Sequence, residues 1–504
     1  MNLRKIKTDY MILVFLFLFV LGVRLYFTFQ HDNFNTDNAY FHLRQIEYFS
    51  DNFKLLNYDD LSYGGRQIFY PPFFHVFMAL ISFGSIFMLK LVPELLLAST
   101  VFIVYRIAKE ISGNSYSAIL SAASASFIPI LFTETLNNLS VYSIVIPLLL
   151  FMLYSLLRLD EKIYFWGFVA ASFLLPLTHP SAFIYVITIS FYFFLIAGGA
   201  LLPSKIKKEA VIFSILLIFL FQFIIYKEAF LTYGANILKQ NIPSTILADS
   251  FRQLGLVDVL FGIGIIPLVL GSFGIYFALI RERRKVAYLF GAFAVSILLL
   301  LVLRLITISV GLMFLGIALS IFTASGVSFI HNYLNKLKFI YLKHFFVILL
   351  LGLFVVLSVL PSFVAARNSA EIDSVKIGEI KWLILNTDKN DVVLANVDDG
   401  NLIAAVAKRK TVADTNFLFA PNPSARVDDI KTMYTTVSEA IALNLIHKYN
   451  VTVIYLSDES RREYNLVDLA YAEKFFGSDD KQLTKASKCF DLAGGEENYY
   501  VVEC

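Results

Sequence analysis

Long apolar runs separated by short polar segments fill most of the chain as far as residue 366. The first run, 11–29, is too long for the apolar part of a signal peptide, and no small-residue cleavage site follows it. Because about 20 apolar residues cross a bilayer as a helix, we interpret this run as a transmembrane helix. Similar runs predict about eleven such helices in all, the others lying at 86–105, 116–132, 141–157, 164–177, 182–202, 211–226, 262–280, 286–303, 309–330 and 345–364.

Basic residues mark one side of these predicted helices. With eleven helices, every basic cluster in the connecting loops falls on the side of the N-terminus. Since Lys and Arg are enriched in cytoplasmic loops, the pattern predicts a multi-pass protein of the cell membrane with a cytoplasmic N-terminus. The clusters are Arg106 and Lys109, Arg158 and Lys162, Lys205, Lys207 and Lys208, Arg281, Arg283, Arg284 and Lys285, and Lys336, Lys338 and Lys343.

The segment 367–504 differs from the rest of the chain and has the composition of a soluble domain. It contains 22 acidic and 16 basic residues, whereas the remainder contains 17 acidic and 26 basic residues. Apolar runs at 391–395, 451–456 and 499–502 predict strands, and the periodicity of 438–449 predicts a helix. The sequence therefore predicts an α-helical polytopic membrane domain over 1–366, with an outer loop at 30–72, followed by an extracytoplasmic α/β domain over 367–504.

The overall composition supports a membrane protein and excludes several other classes. Hydrophobic residues make up 58% of the chain and charged residues 16%, against about 25% charged residues in soluble domains. The net charge of +3 does not favour a nucleic-acid partner. Two cysteines, Cys489 and Cys504, exclude a disulfide-rich scaffold. On the oxidising side of a membrane this pair is either bonded or free.

Polar residues that can carry chemistry concentrate on the predicted outer side. The densest group, 36–44, contains Asp37, His42 and Arg44. If this segment is helical, Asp37 and Arg44 lie two turns apart on one face; the alternative is a solvated loop in which Asp37 caps a helix. Further candidates are Glu134, His179, Asp249 and Arg304. A site at the outer membrane surface suits a substrate that is carried on a lipid.

The order of several motifs resembles the catalytic subunit of oligosaccharyltransferases, especially the archaeal ones, within the C-type glycosyltransferase superfamily. The resemblance begins with Asp37 and the Tyr40, His42 and Arg44 that follow it. It continues through Gly64-Gly65-Arg66 and Tyr70-Pro71-Pro72, the loop acid Asp249 after Pro243, and Arg304 at the outer end of a late helix. In the C-terminal segment, Asp398-Asp399-Gly400, Arg409 and Asp414-Thr415-Asn416 resemble the signature of the family's soluble domain.

The resemblance implies transfer of a sugar or oligosaccharide from a polyprenyl-phosphate-type lipid donor to a protein Asn or another acceptor. It implies a divalent cation, Mg²⁺ or Mn²⁺, because hard cations prefer carboxylate oxygens. Asp37 and Asp249 are then the catalytic and metal-binding carboxylates, and Glu134 is a third metal ligand. The substrate-binding candidates are His42, Arg44, His179, Arg304 and Asp398. The partners that follow are the lipid-linked donor, an acceptor polypeptide or glycan, and membrane lipids.

Some positions depart from the family pattern and leave other interpretations open. Asn138-Leu139-Ser140 stands where the family has its second acidic motif, and Asn396-Val397 replaces two tryptophans before Asp398. One alternative is a non-catalytic membrane scaffold or lipid-phosphate-binding relative; a transporter is another. Individual residues also have structural interpretations, with Arg304 as a snorkelling side chain, His179 as a structural histidine and Glu134 as an acid of a loop.

The loop charges generate the first testable prediction, that the segment from residue 367 onward lies outside the cytoplasm. A reporter enzyme that is active only in the cytoplasm, fused after Cys504, should be silent, and one that is active only outside should work. A cytoplasmic reporter that is active at this position would reverse the predicted orientation. The same reporter fused after Lys208, in a predicted cytoplasmic loop, serves as the control.

Overall fold

The computed structural model describes residues 3–198, 204–234, 237, 241–250, 255–282, 284–336, 340–369, 372, 374–472, 489–492, 498–502 and 504. The chain divides into two compact units, and each is made from three separate segments. We call residues 1–31, 70–227 and 250–370 the membrane unit, and residues 32–69, 228–249 and 371–504 the polar unit. The segment 32–69, which the sequence assigned to an outer loop of the first domain, packs with the C-terminal segment.

The membrane unit is built from helices, numbered here in chain order along the whole protein. They are α1 (Leu3–Thr28), α3 (Phe73–Ser82), α4 (Ile86–Ala98), α5 (Thr100–Ser112), α6 (Ser115–Ser126), α7 (Pro129–Thr135), α8 (Tyr142–Leu157), α9 (Lys162–Thr178), α10 (Ala182–Gly198), α11 (Lys205–Tyr233), α13 (Leu256–Ile263), α14 (Ser272–Phe277), α15 (Lys285–Val302), α16 (Ile308–Leu334), α17 (Ile340–Phe354) and α18 (Leu360–Asn368). Three π-helical turns, Pro267–Gly271, Ala278–Glu282 and Val355–Val359, join neighbouring helices. The last residues of α11 belong to the polar unit.

The helices make the chain a multi-pass membrane protein. In the described part of the chain, six helical stretches are long and apolar enough to cross a bilayer, and two bent helix pairs raise this number to as many as eight. The spans predicted from the sequence fall on apolar helical segments, but those at 86–105, 116–132, 262–280 and 345–364 each cover parts of more than one helix. Three of these helices, α8, α9 and α10, have only 16 or 17 residues, so the count of eleven stays a prediction.

Helix α16 forms the centre of the membrane unit, and glycine allows its closest contacts. Its apolar window is 94% buried inside the protein. A Cβ atom at Gly274 would overlap the carbonyl oxygen of Phe322, and one at Gly326 would overlap that of Leu270. The segment 267–277 can therefore approach α16 backbone to backbone only because these two positions lack side chains.

A buried ion pair links three parts of the membrane unit. Arg24 on α1 donates to Glu94 on α4 at 2.5 Å, and both side chains are 1% exposed. Arg24 also donates to Thr135, and Glu94 accepts from the backbone N–H of Asn137 at 2.9 Å. The pair thereby fixes the start of the loop 136–141. This is the loop that contains Asn138, where the family resemblance would place an acidic residue.

The polar unit contains a mixed five-stranded sheet flanked by short helices. The strand order is β4 (Lys410–Thr411), β3 (Val392–Leu394), β5 (Val451–Tyr455), β7 (Tyr499–Val502) and β6 (Phe490–Leu492). The first three are mutually parallel, and β7 runs antiparallel to both of its neighbours. The helices are α2 (Asp37–Asn52), α12 (Ser244–Ser250), α19 (Ser374–Asn386), α20 (Gly400–Val406), α21 (Pro423–Thr435), α22 (Glu439–Tyr449) and α23 (Asp458–Tyr464). A small hairpin pairs β1 (Tyr58–Asp59) with β2 (Arg66–Gln67).

The strands and the helix that the sequence predicted in this segment coincide with β3, β5, β7 and α22. Cys489 and Cys504 form a disulfide with a Cα–Cα distance of 4.9 Å, which decides between the two states that the sequence left open. The bond joins the residue before β6 to the end of the chain. It therefore closes the edge of the sheet where the last two strands pair.

The buried ion pair generates a stability prediction. Arg24→Met should leave Glu94 charged and unpaired in an apolar interior, at a cost of about 3–5 kcal/mol. The double variant Arg24→Met with Glu94→Gln should recover most of this loss, because it removes the unpaired charge and keeps an acceptor for Asn137. Unfolding of the purified protein in detergent, followed by intrinsic fluorescence, measures both. A single variant as stable as the unmodified protein would contradict the argument.

Candidate functional site

Asp37 is the first residue of α2, and its carboxylate is enclosed by donors from the C-terminal segment. The helix cap is Thr36, whose side chain accepts from the backbone of Ala39, so the alternative that Asp37 is the cap is wrong. The amide of Asn401 donates to Asp37 Oδ2 at 2.7 Å, and the backbone N–H of Leu402 donates to Oδ1 at 2.8 Å. Thr415 donates to Oδ2 at 3.1 Å.

Burial sets the electrostatics of Asp37. Removal from water raises the pKa of this carboxyl well above its usual value, although the hydrogen bonds from Asn401 and Leu402 oppose the shift. The nearby carboxylates of Asp414 and Asp399 raise it further. Both oxygens accept hydrogen bonds from the protein, so a bound cation would share the carboxylate with these donors.

The other two candidates on α2, His42 and Arg44, are also buried and contact other side chains of the protein. Arg44 forms an ion pair with Asp59, and His42 Nε2 lies 3.3 Å from the side-chain nitrogen of Asn38. The side chain of Arg44 is 6% exposed. Their predicted substrate contacts stay predictions, whereas the geometry shows that Arg44 joins α2 to β1.

A second buried carboxylate, Asp414, organises the loop that contains Gly64-Gly65-Arg66. Arg66 pairs with Asp414 at 3.1 Å and donates to Ser62, which itself donates to Asp414. The hydroxyl of Tyr63 donates to the backbone oxygen of Asp414 at 2.6 Å. The sequence identified Asp414 only by resemblance and did not indicate these partners, because they lie about 350 positions earlier in the chain.

Asp398 and Asp399 are neighbours with different environments. Asp399 is buried, pairs with Lys376 at 2.5 Å and accepts from Ser457 at 2.8 Å. Asp398 reaches the surface, but the protein around its carboxyl group partly desolvates it. This desolvation, together with the negative charges of Glu463 and Asp399, raises the pKa of Asp398 to about 6.

The positions before Asp398 do not form an aromatic wall. The side chain of Asn396 donates to Glu463 at 2.5 Å, and Val397 is buried in the apolar core of the polar unit. Where the resemblance would place two tryptophans, the chain therefore has an amide bound to a carboxylate and a small core residue. Asp398 retains a carboxylate at the surface beside them.

A cluster of polar residues in the membrane unit contains two further candidate site residues, Glu134 and His179. The hydroxyl of Ser309 donates to the carboxylate of Glu134. Tyr142 hydrogen-bonds to Ser181, and Ser181 lies 2.7 Å from His179 Nδ1. The rings of Tyr142 and His179 are in edge contact with centroids 5.2 Å apart. The fold thus brings Glu134 and His179 into one neighbourhood, which their spacing in the sequence does not reveal.

An apolar cleft with a volume of about 800 Å³ opens in the same unit. Of the described residues that line it, Arg304 alone is charged. Arg304 lies two residues after the end of α15, has a left-handed backbone with φ +54° and is exposed. Its neighbours in the cleft wall are aliphatic, among them Leu298, Leu301, Leu312, Leu315 and Leu319. The cleft therefore combines a long apolar surface with one guanidinium group.

The described residues do not by themselves complete the cation site that the resemblance implies. Among the side chains that the structure describes, no three His, Cys, Asp or Glu residues form a group that could hold a metal ion. The carboxylate of Asp37 accepts three hydrogen bonds from protein donors. Asp249 lies in α12, but its side chain is outside the described residues, so its predicted approach to Asp37 stays a prediction. We assign no step to a metal ion.

The environment of Asp37 generates a prediction that separates an anchor from a metal ligand. Asp37→Asn should destabilise the protein by roughly 1–3 kcal/mol, because one oxygen is replaced by an amide that cannot accept from the surrounding donors. The exposed Asp32→Asn is the control and should be neutral. Added Mn²⁺ should not raise the thermal midpoint of the unmodified protein more than that of the variant. A Mn²⁺ effect lost only in Asp37→Asn would show that Asp37 binds the ion.

Solved structures share this architecture at low sequence identity. The apo oligosaccharyltransferase of Archaeoglobus fulgidus matches with a TM-score of 0.69 and 14% identity, over 93% of this chain and 72% of that one. The same archaeal enzyme, AglB, with an inhibitory peptide and a dolichol-phosphate matches with a TM-score of 0.68 and 15% identity, over 90% and 70%. Its complex with Zn and sulfate matches with a TM-score of 0.65 and 16% identity, over 88% and 67%.

A bacterial protein extends the comparison. ArnT from Cupriavidus metallidurans bound to undecaprenyl phosphate matches with a TM-score of 0.50 and 11% identity, over 97% of each chain. No protein-family profile matches the chain, and no curated protein matches it. The resemblance seen in the sequence motifs is confirmed at the level of the fold: the chain has the fold of oligosaccharyltransferase-like membrane glycosyltransferases.

Proposed function

We propose that this protein transfers a sugar or oligosaccharide from a polyprenyl-phosphate-type donor to an acceptor at the outer face of the membrane. The observation that carries the proposal is the apolar cleft of the membrane unit, with Arg304 as its one charged lining residue in the described part of the chain. A prenyl chain requires a long apolar surface, and the attached phosphate requires a cation. The related folds bind dolichol-phosphate and undecaprenyl phosphate, which supports this donor class.

Arg304 is suited to bind the phosphate of the donor. Its guanidinium group offers several N–H donors in one plane, which matches the geometry of phosphate oxygens. The side chain is exposed and forms no ion pair among the described residues. In the transfer step the bond between the anomeric carbon and the phosphate oxygen breaks, and the electron pair leaves with the lipid phosphate. Arg304 stabilises this developing charge.

Glu134 is proposed to take the proton that the acceptor loses. It accepts a hydrogen bond from Ser309, which is adjacent in the chain to Ile308 in the wall of the cleft. As the new bond forms at the anomeric carbon, the proton of the attacking group passes to Glu134 as general base. His179, in the same cluster, is proposed to contact the substrate. The catalytic roles predicted for Asp37 and Asp249 stay predictions.

Asp398 is proposed to accept a hydrogen bond from a hydroxyl group of the acceptor. Its carboxylate is at the surface, while its neighbour Asp399 is occupied by Lys376 and Ser457. The proposed acceptor is a polypeptide or a glycan. Asn396 and Val397 replace the two tryptophans that the family uses as a wall for a peptide hydroxyl, so recognition of that hydroxyl is not required of the acceptor.

A second function is favoured by a specific observation. Asp37 accepts hydrogen bonds from three protein donors, and Asn138 and Ser140 stand where the family has acidic residues. These departures favour a lipid-phosphate-binding protein that does not transfer the sugar. The two functions share the cleft and Arg304 but differ in turnover. Incubation of purified protein with a lipid-linked oligosaccharide and a sequon peptide, with and without Mn²⁺, decides between them.

The cleft generates a binding prediction that holds for both functions. Arg304→Met should weaken the binding of undecaprenyl phosphate to protein in nanodiscs at least about tenfold, which corresponds to about 1.4 kcal/mol. Leu298→Trp should weaken binding similarly by filling the apolar wall. Arg367→Met, which removes an exposed arginine at the end of α18 in the same unit, is the matched control. Equal binding by all three variants would exclude the cleft as the lipid site.

The raised pKa of Asp398 generates a pH prediction. Its pKa is about 6 rather than 3.8, so the carboxylate is charged above about pH 6 and neutral below it. Acceptor binding that uses the charged form should therefore be strong at pH 7.5 and should fall as the pH drops through 6. Asp398→Asn should remove this dependence and lower affinity throughout, whereas the exposed Asp388→Asn should preserve it. An unchanged profile in Asp398→Asn would assign the titration to another group.

A further inference from the structure

Three aromatic rings from three segments of the polar unit meet around Phe419. Phe69 closes the first segment, Tyr233 ends α11, and Phe419 lies between β4 and α21. The ring centroids of Phe69 and Phe419 are 4.9 Å apart, and those of Tyr233 and Phe419 are 5.5 Å apart. All three residues are half-buried. The cluster therefore presents ring surface to the outside and is not part of the closed core.

The backbone at Phe419 adopts a conformation that a bulky side chain rarely takes. Its φ is +60°, in the left-handed region that glycine occupies without cost and that a large residue avoids. Glycine would fit here with less strain, yet the chain has phenylalanine. Such outliers persist only when the surrounding structure enforces them, and they are enriched at ligand-binding positions.

Residues of the other two segments hold this turn in place. Arg66 donates to the carbonyl of Leu418 at 2.8 Å. The amide of Asn241 donates to the carbonyls of Phe417 at 3.1 Å and Ala420 at 3.3 Å. These contacts fix the turn from both sides of Phe419.

Tyr233 contributes a further contact, because its hydroxyl oxygen accepts from the backbone N–H of Phe419. Tyr233 thus both packs against the ring of Phe419 and holds its main chain. The strained turn and the orientation of its ring are set by the same residues that form the rest of the cluster.

We infer that Phe69, Tyr233 and Phe419 form a platform on which a neutral pyranose ring of the transferred or accepting glycan stacks. The C–H face of a pyranose is apolar and flat, and it packs on aromatic rings while the hydroxyl groups remain hydrated. Arg66, the cation that holds this turn, is neutralised by Asp414 and bound to Leu418, so it does not favour a phosphate on the platform. This inference rests on the proposed function, because that function supplies a saccharide as the substrate.

The test uses the full-length protein in nanodiscs and a panel of neutral disaccharide methyl glycosides containing glucose, galactose, mannose or N-acetylglucosamine. Saturation-transfer NMR should detect contact with the ring C–H protons of at least one member. Phe419→Leu should weaken that binding at least tenfold, whereas Phe419→Tyr should retain it. Phe53→Leu is the matched control, because Phe53 is an exposed phenylalanine of the same unit with φ +51°.

Two measurements keep the outcome decisive. Thermal midpoints of Phe419→Leu and Phe419→Tyr show whether the fold survives, and Tyr233→Leu provides a second disruption of the platform if Phe419→Leu does not fold. In Phe419→Trp, a change of fluorescence on adding the sugar supports the platform. Quenching by brominated lipids without a response to sugar would assign the rings to the bilayer interface and overturn the inference.

Failure of this inference is distinguishable from failure of the proposed function. If no disaccharide in the panel binds, or if Phe419→Leu binds sugar as the unmodified protein does, the platform is excluded. The proposed function then still stands if undecaprenyl phosphate binding depends on Arg304. The two failures are separate, because the platform is tested with free disaccharides and Arg304 is tested with undecaprenyl phosphate.

Discussion

Two buried carboxylates hold the polar unit together. Asp37 accepts from Asn401, Leu402 and Thr415, and Asp414 accepts from Ser62 and Arg66. A buried carboxylate without such donors would carry a large desolvation cost, so each one requires its distant partners to be in place. The outer loop, the hairpin and the five-stranded sheet become one unit because these requirements are met together.

This constraint changes how the family resemblance is understood. The order of the motifs agrees with the fold of oligosaccharyltransferases, and the structural comparisons agree with it as well. The shared fold does not assign chemical roles to the residues. Asp37, which the resemblance makes catalytic, accepts hydrogen bonds from donors of its own chain. Arg304 in the apolar cleft and Asp398 at the surface have exposed side chains. A shared order of motifs and a shared fold do not by themselves assign the chemical role of each residue.

The sequence predicted the elements that local physics determines. Apolar runs become helices because a bilayer or an apolar interior leaves backbone groups no other partner, and the strands at β3, β5 and β7 follow from short β-branched runs. It did not predict the partners of Glu94 or Asp414, since no periodicity connects positions 70 to 352 residues apart. The sequence also did not predict the left-handed backbone of Phe419, because glycine or asparagine is the usual signal for that conformation.

The distance along the chain between Asp37 and its donors has a consequence for synthesis. Asn401 lies 364 residues after Asp37, and at 5–20 residues per second a ribosome needs roughly 20–70 s to make that interval. During this time the helices of the membrane unit from α3 to α18 are made, and the carboxyl of Asp37 on α2 lacks its donor Asn401. The nascent first loop is therefore an expected client for chaperones, and the last strands complete a fold whose first polar helix was made about a minute earlier.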